Sequence, residues 1–457
     1  MHWLWATALS LGMMISLWSM QRGVALYLAG ALIFPSLSIG SITLRIEIVY
    51  CLWLFMLILI GRLVKQQSFL WHPVLSRYSL YLLTIIIATL LALLGTPEIG
   101  ERSMGFPQVT QLYGHLRPLL VLFLFLNIPL DQRFVKGLLW MFIWLSIPLA
   151  LLSIAQSFNT SVAEKITMVG YTSPWRTPVF GMLEKLGFIV RSTGVFESPV
   201  YNAVYFLSVL LVSGFFLLKG EYTTRGWGLY LALGLALVGG ITTLSSTFLL
   251  GSVMCLGIFL LFLWHRYRQR FLRIAVRVGI TAGLLAFSFV PWLMQESIFA
   301  RTLRYQVERI LSGSVLETRY DPQSGILVGS YQAIKQKPIL GWGFTQVESA
   351  FVGDSLYVVT LYRGGIIGLL LFLWVVWGVL RHTWRNRKVV GVFGDLNQIA
   401  FLSTLLLLAV GIGSPSFFIL RLQEWYWALV GMSLNRSQHQ TSKGIAPNIR
   451  GISDEQS

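Results

Sequence analysis

The sequence predicts an all-α membrane protein, a polytopic bundle of about twelve or thirteen transmembrane helices with one long outer loop that carries short helices of its own. Three observations predict it. Of 457 residues, 55% are hydrophobic and only 12% charged. Apolar runs of about twenty residues, the length that crosses the hydrocarbon of a bilayer, recur along nearly the whole chain. Basic residues collect in the short connections between those runs, as they do on the cytoplasmic side of membrane proteins.

Taken in order, the runs 3–18, 23–40, 47–64, 78–95, 116–129, 135–157, 199–218, 228–245, 247–264, 278–293, 355–380, 397–413 and 416–433 each read as a helix. The first, Trp3 to Trp18, lacks the basic leader and small-residue cleavage site of a secretion signal, so it counts as a membrane helix. If 3–40 crosses once, or holds a re-entrant piece around Pro35, the count falls to twelve and both termini share a side. Cys51 and Cys255 lie inside apolar runs and read as small core residues, not as a disulfide or metal site.

The net charge of +17 is mostly topology. The clusters His265 to Arg277 and Arg381 to Lys388 mark the cytoplasmic side, and Arg62, Lys65, Arg133, Lys136, Lys219 and Arg225 fall on it in the same register. This distribution argues against a nucleic-acid partner. The polar tail 435–457 reads as cytoplasmic and disordered. The chain divides into an N-terminal bundle over 1–293 with an outer loop at 158–198, a large outer loop at 294–354, and C-terminal helices over 355–434. Against the positive-inside bias, the two outer loops hold Lys165, Arg176, Lys185, Arg191, Arg301, Arg304, Arg309, Arg319, Lys335 and Lys337. Binding an anion at the outer membrane surface is the simplest use for them.

Within the large loop, Ser297 to Gly313 has apolar Phe299, Leu303, Val307 and Ile310 at helical spacing, with Arg301, Arg304 and Glu308 on a second face. That is the pattern of a helix lying on the membrane with arginines raised toward phosphates or an anionic substrate. Arg191 falls just before Ser198-Pro199, a helix start with serine as cap and proline in the first turn; it reads equally as a snorkelling anchor or an anion ligand. Arg319 stands between Glu317 and Asp321 and, taken singly, reads as a salt-bridged loop residue. A diphosphate, however, needs more than one guanidinium, and two outer loops each offer one. Asp354, immediately before an apolar run, is either an N-cap or a general base for a sugar hydroxyl.

Arg363 lies within that run, followed by Gly364 and Gly368 at the spacing of close helix packing, and as a cation in the membrane it calls for a partner or a wet cavity. Glu424 pairs on paper with Arg421, three residues earlier, or with Arg363. His115 and Arg117 form a further base and anion contact or a helix-end pair. Neither a P-loop nor a Cys/His ligand cluster is present, and the outer loops hold no carboxylate pair for a divalent ion, so neither cofactor nor metal is expected and arginines must hold any diphosphate.

The ordered set of motifs resembles the O-antigen polymerase and O-antigen ligase superfamily. Arg191-Ser-Thr-Gly-Val-Phe-Glu-Ser-Pro-Val-Tyr-Asn resembles that family's stretch before a membrane helix; Arg319 followed by Tyr331 to Pro338-Ile-Leu-Gly-Trp-Gly343 resembles its second signature; Asp354-Ser-Leu-Tyr357 and Arg363-Gly-Gly-Ile-Ile-Gly368 complete it. The likeness covers about 160–380, the N-terminal helices matching in hydropathy alone. It implies a GT-C-like, metal-independent, inverting glycosyltransferase at the periplasmic face of the bacterial inner membrane. The donor is a glycan on undecaprenyl diphosphate, with Arg191 and Arg319 on the diphosphate. Ligases carry a His-Asn or His-Ser pair where this chain has Asp354-Ser355, and Ser245-Ser-Thr247 lacks the family's Ser-Arg pair; the first departure favours a polymerase of lipid-linked repeat units. A chain-length regulator or flippase would be its partners in the bilayer. The rival expectations are a ligase that moves glycan onto lipid A core or protein, and a membrane transporter working through Arg363 and Glu424.

Overall fold

The computed structural model describes residues 2–34, 36–39, 42–94, 106–158, 162, 165, 191–220, 226–261, 298–321, 323, 325, 327–345, 347 and 355–435. The expectations for the helix at 278–293, the basic cluster 265–277, most of the 158–198 loop, Asp354 and the tail fall outside the described residues. The other twelve apolar runs all coincide with helices. These are α1 (His2–Trp18), α2 (Met20–Ile33), α3 (Ile46–Val64), α4 (Pro73–Leu94), α5 (Phe106–Asn127), α6 (Gln132–Phe158), α7 (Pro199–Lys219), α8 (Gly226–Thr242) and α9 (Ser246–Leu261). After the large loop come α13 (Leu356–Asn386), α14 (Val392–Val410) and α15 (Leu422–Leu434). The loop itself contributes α10 (Ile298–Leu311), α11 (Ser314–Tyr320) and α12 (Val328–Gln336). Among the described residues six helices are long and apolar enough to cross a membrane, and five shorter ones are similarly apolar. Length and composition therefore make this a helical membrane protein.

Two departures from the expected pattern have local causes. The run expected at 23–40 ends at Ile33, and the chain continues as an antiparallel hairpin of β1 (Ser36–Ile39) and β2 (Ile42–Arg45), so the fold is not purely α-helical. Pro35 interrupts the run, and the Ser/Leu/Ile/Thr alternation after it has the two-residue period of a strand. The last helix starts at Leu422 and not at 416, because Ser416–Phe418 forms a 3-10 turn and Arg421 has φ 79°. Arg421 is thereby off the helix, and the expected three-residue pairing with Glu424 is lost.

Helices α4 with α13, α6 and α7 with α8, and α5 with α15 make the main packing contacts of the bundle. Both cysteines are free and buried, as expected of core residues. At the end of α7 far from Ser198, Lys219 meets Asp395 at 2.6 Å, and Asn435 binds the carbonyls of Phe125, Leu126 and Ile128. The basic connection after α13 lies at this end. Leu356, at the other end of α13, is about 45 Å away along a helix of 31 residues.

Helix α13 is broken within its apolar span. Gly365 adopts φ 60°, ψ −162°, which removes the normal ladder between residues 362–363 and 366–367. The loop segment Pro338 to Gly343 fills the break. Trp342 N donates to Tyr362 O (2.7 Å) and Gly343 N to Arg363 O (2.9 Å), while Ile366 N and Ile367 N donate to Pro338 O and Ile339 O (2.8 and 3.2 Å). All four backbone groups orphaned by the break are thus satisfied, as an apolar surrounding requires. Glycine is needed on both sides: a Cβ on Gly365 would lie 2.2 Å from Ile339 O, and one on Gly341 2.5 Å from Tyr362 O. The expected tight turn at Gly341-Trp-Gly343 is present, with positive φ at both glycines. The Gly364/Gly368 pair was expected to serve helix packing; the residue that decides the geometry is Gly365 between them.

Candidate functional site: an arginine cluster at two helix ends

Arg191 and Arg319 are each held by the carboxyl end of a helix. Arg191 Nε donates to Thr243 O at 3.1 Å, one residue beyond the end of α8, and Arg319 Nη1 donates to Gly413 O at 2.8 Å, just beyond α14. Carbonyls left over at a helix C-terminus carry partial negative charge, so each is a natural seat for a cation. Among the described residues one donor is used in each case, and the rest of each guanidinium fork is left for another acceptor. The expected ion pairing of Arg319 with Glu317 or Asp321 does not occur, and among the described residues no carboxylate pairs with Arg191, Arg309 or Arg319.

The turn that carries Arg191 is held from three sides. Gln156 of α6, fully buried, accepts the amides of Thr193 (2.9 Å) and Gly194 (2.8 Å) and donates to Thr193 Oγ1 (2.9 Å). Asn202 of α7 donates to Ser153 Oγ at 3.0 Å, and Ser192 Oγ meets Thr242 Oγ1 at 3.1 Å. Gly194 has φ 56°, and a Cβ there would meet Asn202 Oδ1 and Ser153 Oγ at 2.9 Å. The expected cap is present: Ser198 accepts the amide of Val200, with Pro199 in the first turn. Sequence reading did not find Gln156, since nothing local separates a buried Gln from any other polar residue of an apolar helix.

On the second arm, Gly413 makes room for the arginine, a Cβ there lying 2.4 Å from Arg319 Nη1. The hydroxyl of Tyr320 donates to Ile412 O and that of Tyr357 to Leu408 O (2.8 Å), while Leu356 N donates to Gly411 O (2.8 Å). The start of α13, the end of α14 and the Arg319 helix therefore form one joint. Ser355 is the N-cap residue of α13, with its Oγ on Gly411 O at 3.3 Å. The cap position belongs to Ser355, and Asp354 itself lies outside the described residues.

The two arms come close: a Cβ on Gly413, 2.4 Å from Arg319 Nη1, would also lie 3.7 Å from Thr247 Oγ1, four residues after the Thr243 that holds Arg191. The charges of Arg319 and Arg309, after burial, hold the Arg191 guanidinium below its usual pKa. Among the described residues no carboxylate pairs with these three cations, and an anion with several charges is the ligand that would relieve their repulsion. The surface helix closes over this point: Leu303 of α10 packs on Leu244, the residue after the Thr243 that holds Arg191. Arg301 and Arg304, the expected contacts on α10, are exposed, and a further arginine of the same helix, Arg309, acts on the charge of Arg191.

The remaining candidates lie elsewhere. Arg117 forms a fully enclosed ion pair with Glu424 and stacks 4.8 Å over Tyr113, so it is a bundle tie and not a substrate contact. Glu424 therefore pairs with neither Arg363 nor Arg421. Arg363 Nη1 lies 2.7 Å from His115 Nε2, and the His115 ring stacks on Phe418 at 4.3 Å. Both residues are buried beside the α13 break, apart from the arginine cluster in the bonding just described. Among the described residues no group of three His, Cys, Asp or Glu side chains could hold a metal ion.

No family model matches the chain, and no curated protein matches it.

Proposed function

We propose that the chain is a polysaccharide polymerase of the bacterial cytoplasmic membrane, joining glycan repeat units carried on undecaprenyl diphosphate at the periplasmic face. The observation that carries this reading is that Arg191 and Arg319, from two separate loops, sit on the ends of two helices that come together at Gly413 and Thr247, and pair with no carboxylate among the described residues. The motif likeness set out above names a lipid diphosphate as the anion such a pair takes. The basic connections gathered at the far end of α13 support a periplasmic position for the cluster, by the positive-inside bias.

In the proposed reaction a hydroxyl of the terminal sugar on one lipid-linked unit attacks the anomeric carbon of the growing chain on another. The new C–O bond forms as the anomeric C–O bond to the diphosphate breaks, with inversion, and the undecaprenyl diphosphate departs. Arg191 and Arg319 stabilise the charge that grows on the leaving oxygens; their seats on helix carbonyls fix them beforehand, so little reorganisation is needed in the transition state. Asp354 takes the hydroxyl proton. Its chain neighbour Ser355 binds Gly411, two residues from the Gly413 carbonyl that anchors Arg319.

The test is purified protein in liposomes with a synthetic undecaprenyl-diphosphate oligosaccharide and no other acceptor, scoring glycan length and freed undecaprenyl diphosphate. A ladder of longer glycans, lost in Arg191→Ala, is expected. Transfer only after lipid A core or a protein is added would make the chain a ligase. Movement of substrate without transfer would make it a transporter.

A further inference from the structure

We propose that Arg309, on the amphipathic helix α10, is a third ligand of the diphosphate and makes that helix part of the binding site; this rests on the diphosphate reading of the Arg191–Arg319 pair.

The geometry has two ends. At one, Leu303 of α10 is buried against Leu244, whose neighbour Thr243 holds Arg191 through its carbonyl. At the other, Arg309 Nη2 donates to Thr318 Oγ1 at 3.1 Å, and Thr318 immediately precedes Arg319 on α11. Arg309 is thereby tied to both arms of the cluster. The corner between α10 and α11 is fixed by Gly313 at φ 75° and by the Ser312 and Ser314 hydroxyls, both of which donate to Arg309 O at 3.3 Å. The electrostatics agree, since Arg309 acts on the charge of Arg191.

The charge count then selects among anions. A phosphodiester of the bilayer carries one charge and is matched by one guanidinium, while a diphosphate carries two or three and has more oxygens than one fork can satisfy. Arg191, Arg319 and Arg309, linked by the contacts just given and paired with no carboxylate among the described residues, suit the second. Tyr305, Val307 and Leu311 on the same helix are exposed apolar side chains, which suits a helix resting in the interface and presenting its arginine at headgroup depth.

The experiment uses the full chain in nanodiscs of zwitterionic lipid, with inorganic pyrophosphate and inorganic phosphate as probes in calorimetric titrations. Wild type is expected to prefer pyrophosphate. Arg309→Gln should weaken it by about tenfold, in the range of one lost charged hydrogen bond, and Arg309→Lys by less. Lys388→Gln, which removes an exposed cation at the opposite end, should leave it unchanged. Vesicles containing polyprenyl diphosphate should displace pyrophosphate, and vesicles containing phosphatidylglycerol should not. Pyrophosphate affinity within twofold of wild type in Arg309→Gln, together with loss in Arg191→Gln, would overturn the role of Arg309 and leave the diphosphate site standing. Displacement by phosphatidylglycerol as effective as by the diphosphate lipid would make the ligand a bilayer phosphate and overturn the proposal. Failure of wild type to bind pyrophosphate would overturn this inference and the diphosphate site with it.

Discussion

The amide of Gly343 donates to the carbonyl of Arg363 at 2.9 Å, so a residue of the outer loop completes the hydrogen bonding of a helix inside the bundle. The contact permits no side chain on Gly343, where a Cβ would lie 2.4 Å from the Thr89 backbone, or on Gly365.

Alanine at Gly365 should therefore cost about 1–2 kcal/mol for the left-handed backbone alone, with the collision against Ile339 added. Alanine at Gly364, whose Cβ would meet its nearest neighbour, Ile85 Cγ1, at an ordinary 3.6 Å, should be tolerated. Thermal unfolding of both variants in detergent checks the contrast. Equal stability would mean that Gly364, the residue of the helix-packing motif, matters as much as the break.

Arg117 and Glu424 are a buried pair whose partners should be far more costly to remove singly than together. Arg117→Met or Glu424→Leu alone should lose about 3–5 kcal/mol, and the double variant should recover most of it, because an apolar pair avoids the desolvation of both charges. Chemical unfolding of the three variants reads the coupling directly. A role in substrate binding would show instead as lost turnover in a double variant that is fully stable.

Gln156 touches Arg191 only through the Thr193–Gly194 turn, which makes it a positioning residue. Gln156→Leu leaves two buried amides without their acceptor, at about 1–3 kcal/mol, and should weaken pyrophosphate binding while the anomeric chemistry of whatever substrate binds is less affected. The expected signature is a raised KM with a smaller change in kcat, and partial recovery in Gln156→Glu, which still accepts both amides.

Arg319→Lys keeps the charge but not the fork. With Gly413 O already taking one donor of the guanidinium, lysine would have to choose between its seat and the anion, and turnover should fall by about tenfold or more. Turnover close to wild type would mean that Arg319 acts as a point charge and that its seat on Gly413 is incidental.

The helices were legible because a hydropathic run needs no knowledge of its neighbours; each of the twelve runs on described residues holds a helix, although 23–40 gives way to a hairpin after Ile33 and 416–433 opens on a 3-10 turn. Arg191 and Arg319 were legible as candidates because cations left outside a membrane need a reason. What the sequence could not show depends on contacts between distant segments. The Glu424 partner was sought at Arg421 by helical spacing, but Arg421 sits off the helix at positive φ, and the true partner, Arg117, comes from another helix. That Arg309 reaches Thr318, beside Arg319, depends on how α10 turns over Leu244, which periodicity leaves open. Pro338 to Gly343 read as a tight turn ending a loop helix; nothing in its residues says that a break in α13 lies waiting for it.

That splice also divides the outer loop into two mechanically different halves. Lifting the half that holds Pro338 to Gly343 would strand four backbone groups in apolar surroundings, each worth several kcal/mol there. This half is in effect a section of α13, and it is as immobile as the helix it completes. A ligand that comes to the arginines past the other half passes over α10, where Leu303 packs on Leu244. The two halves are therefore held by different means, one through the backbone of α13 and the other through side-chain packing.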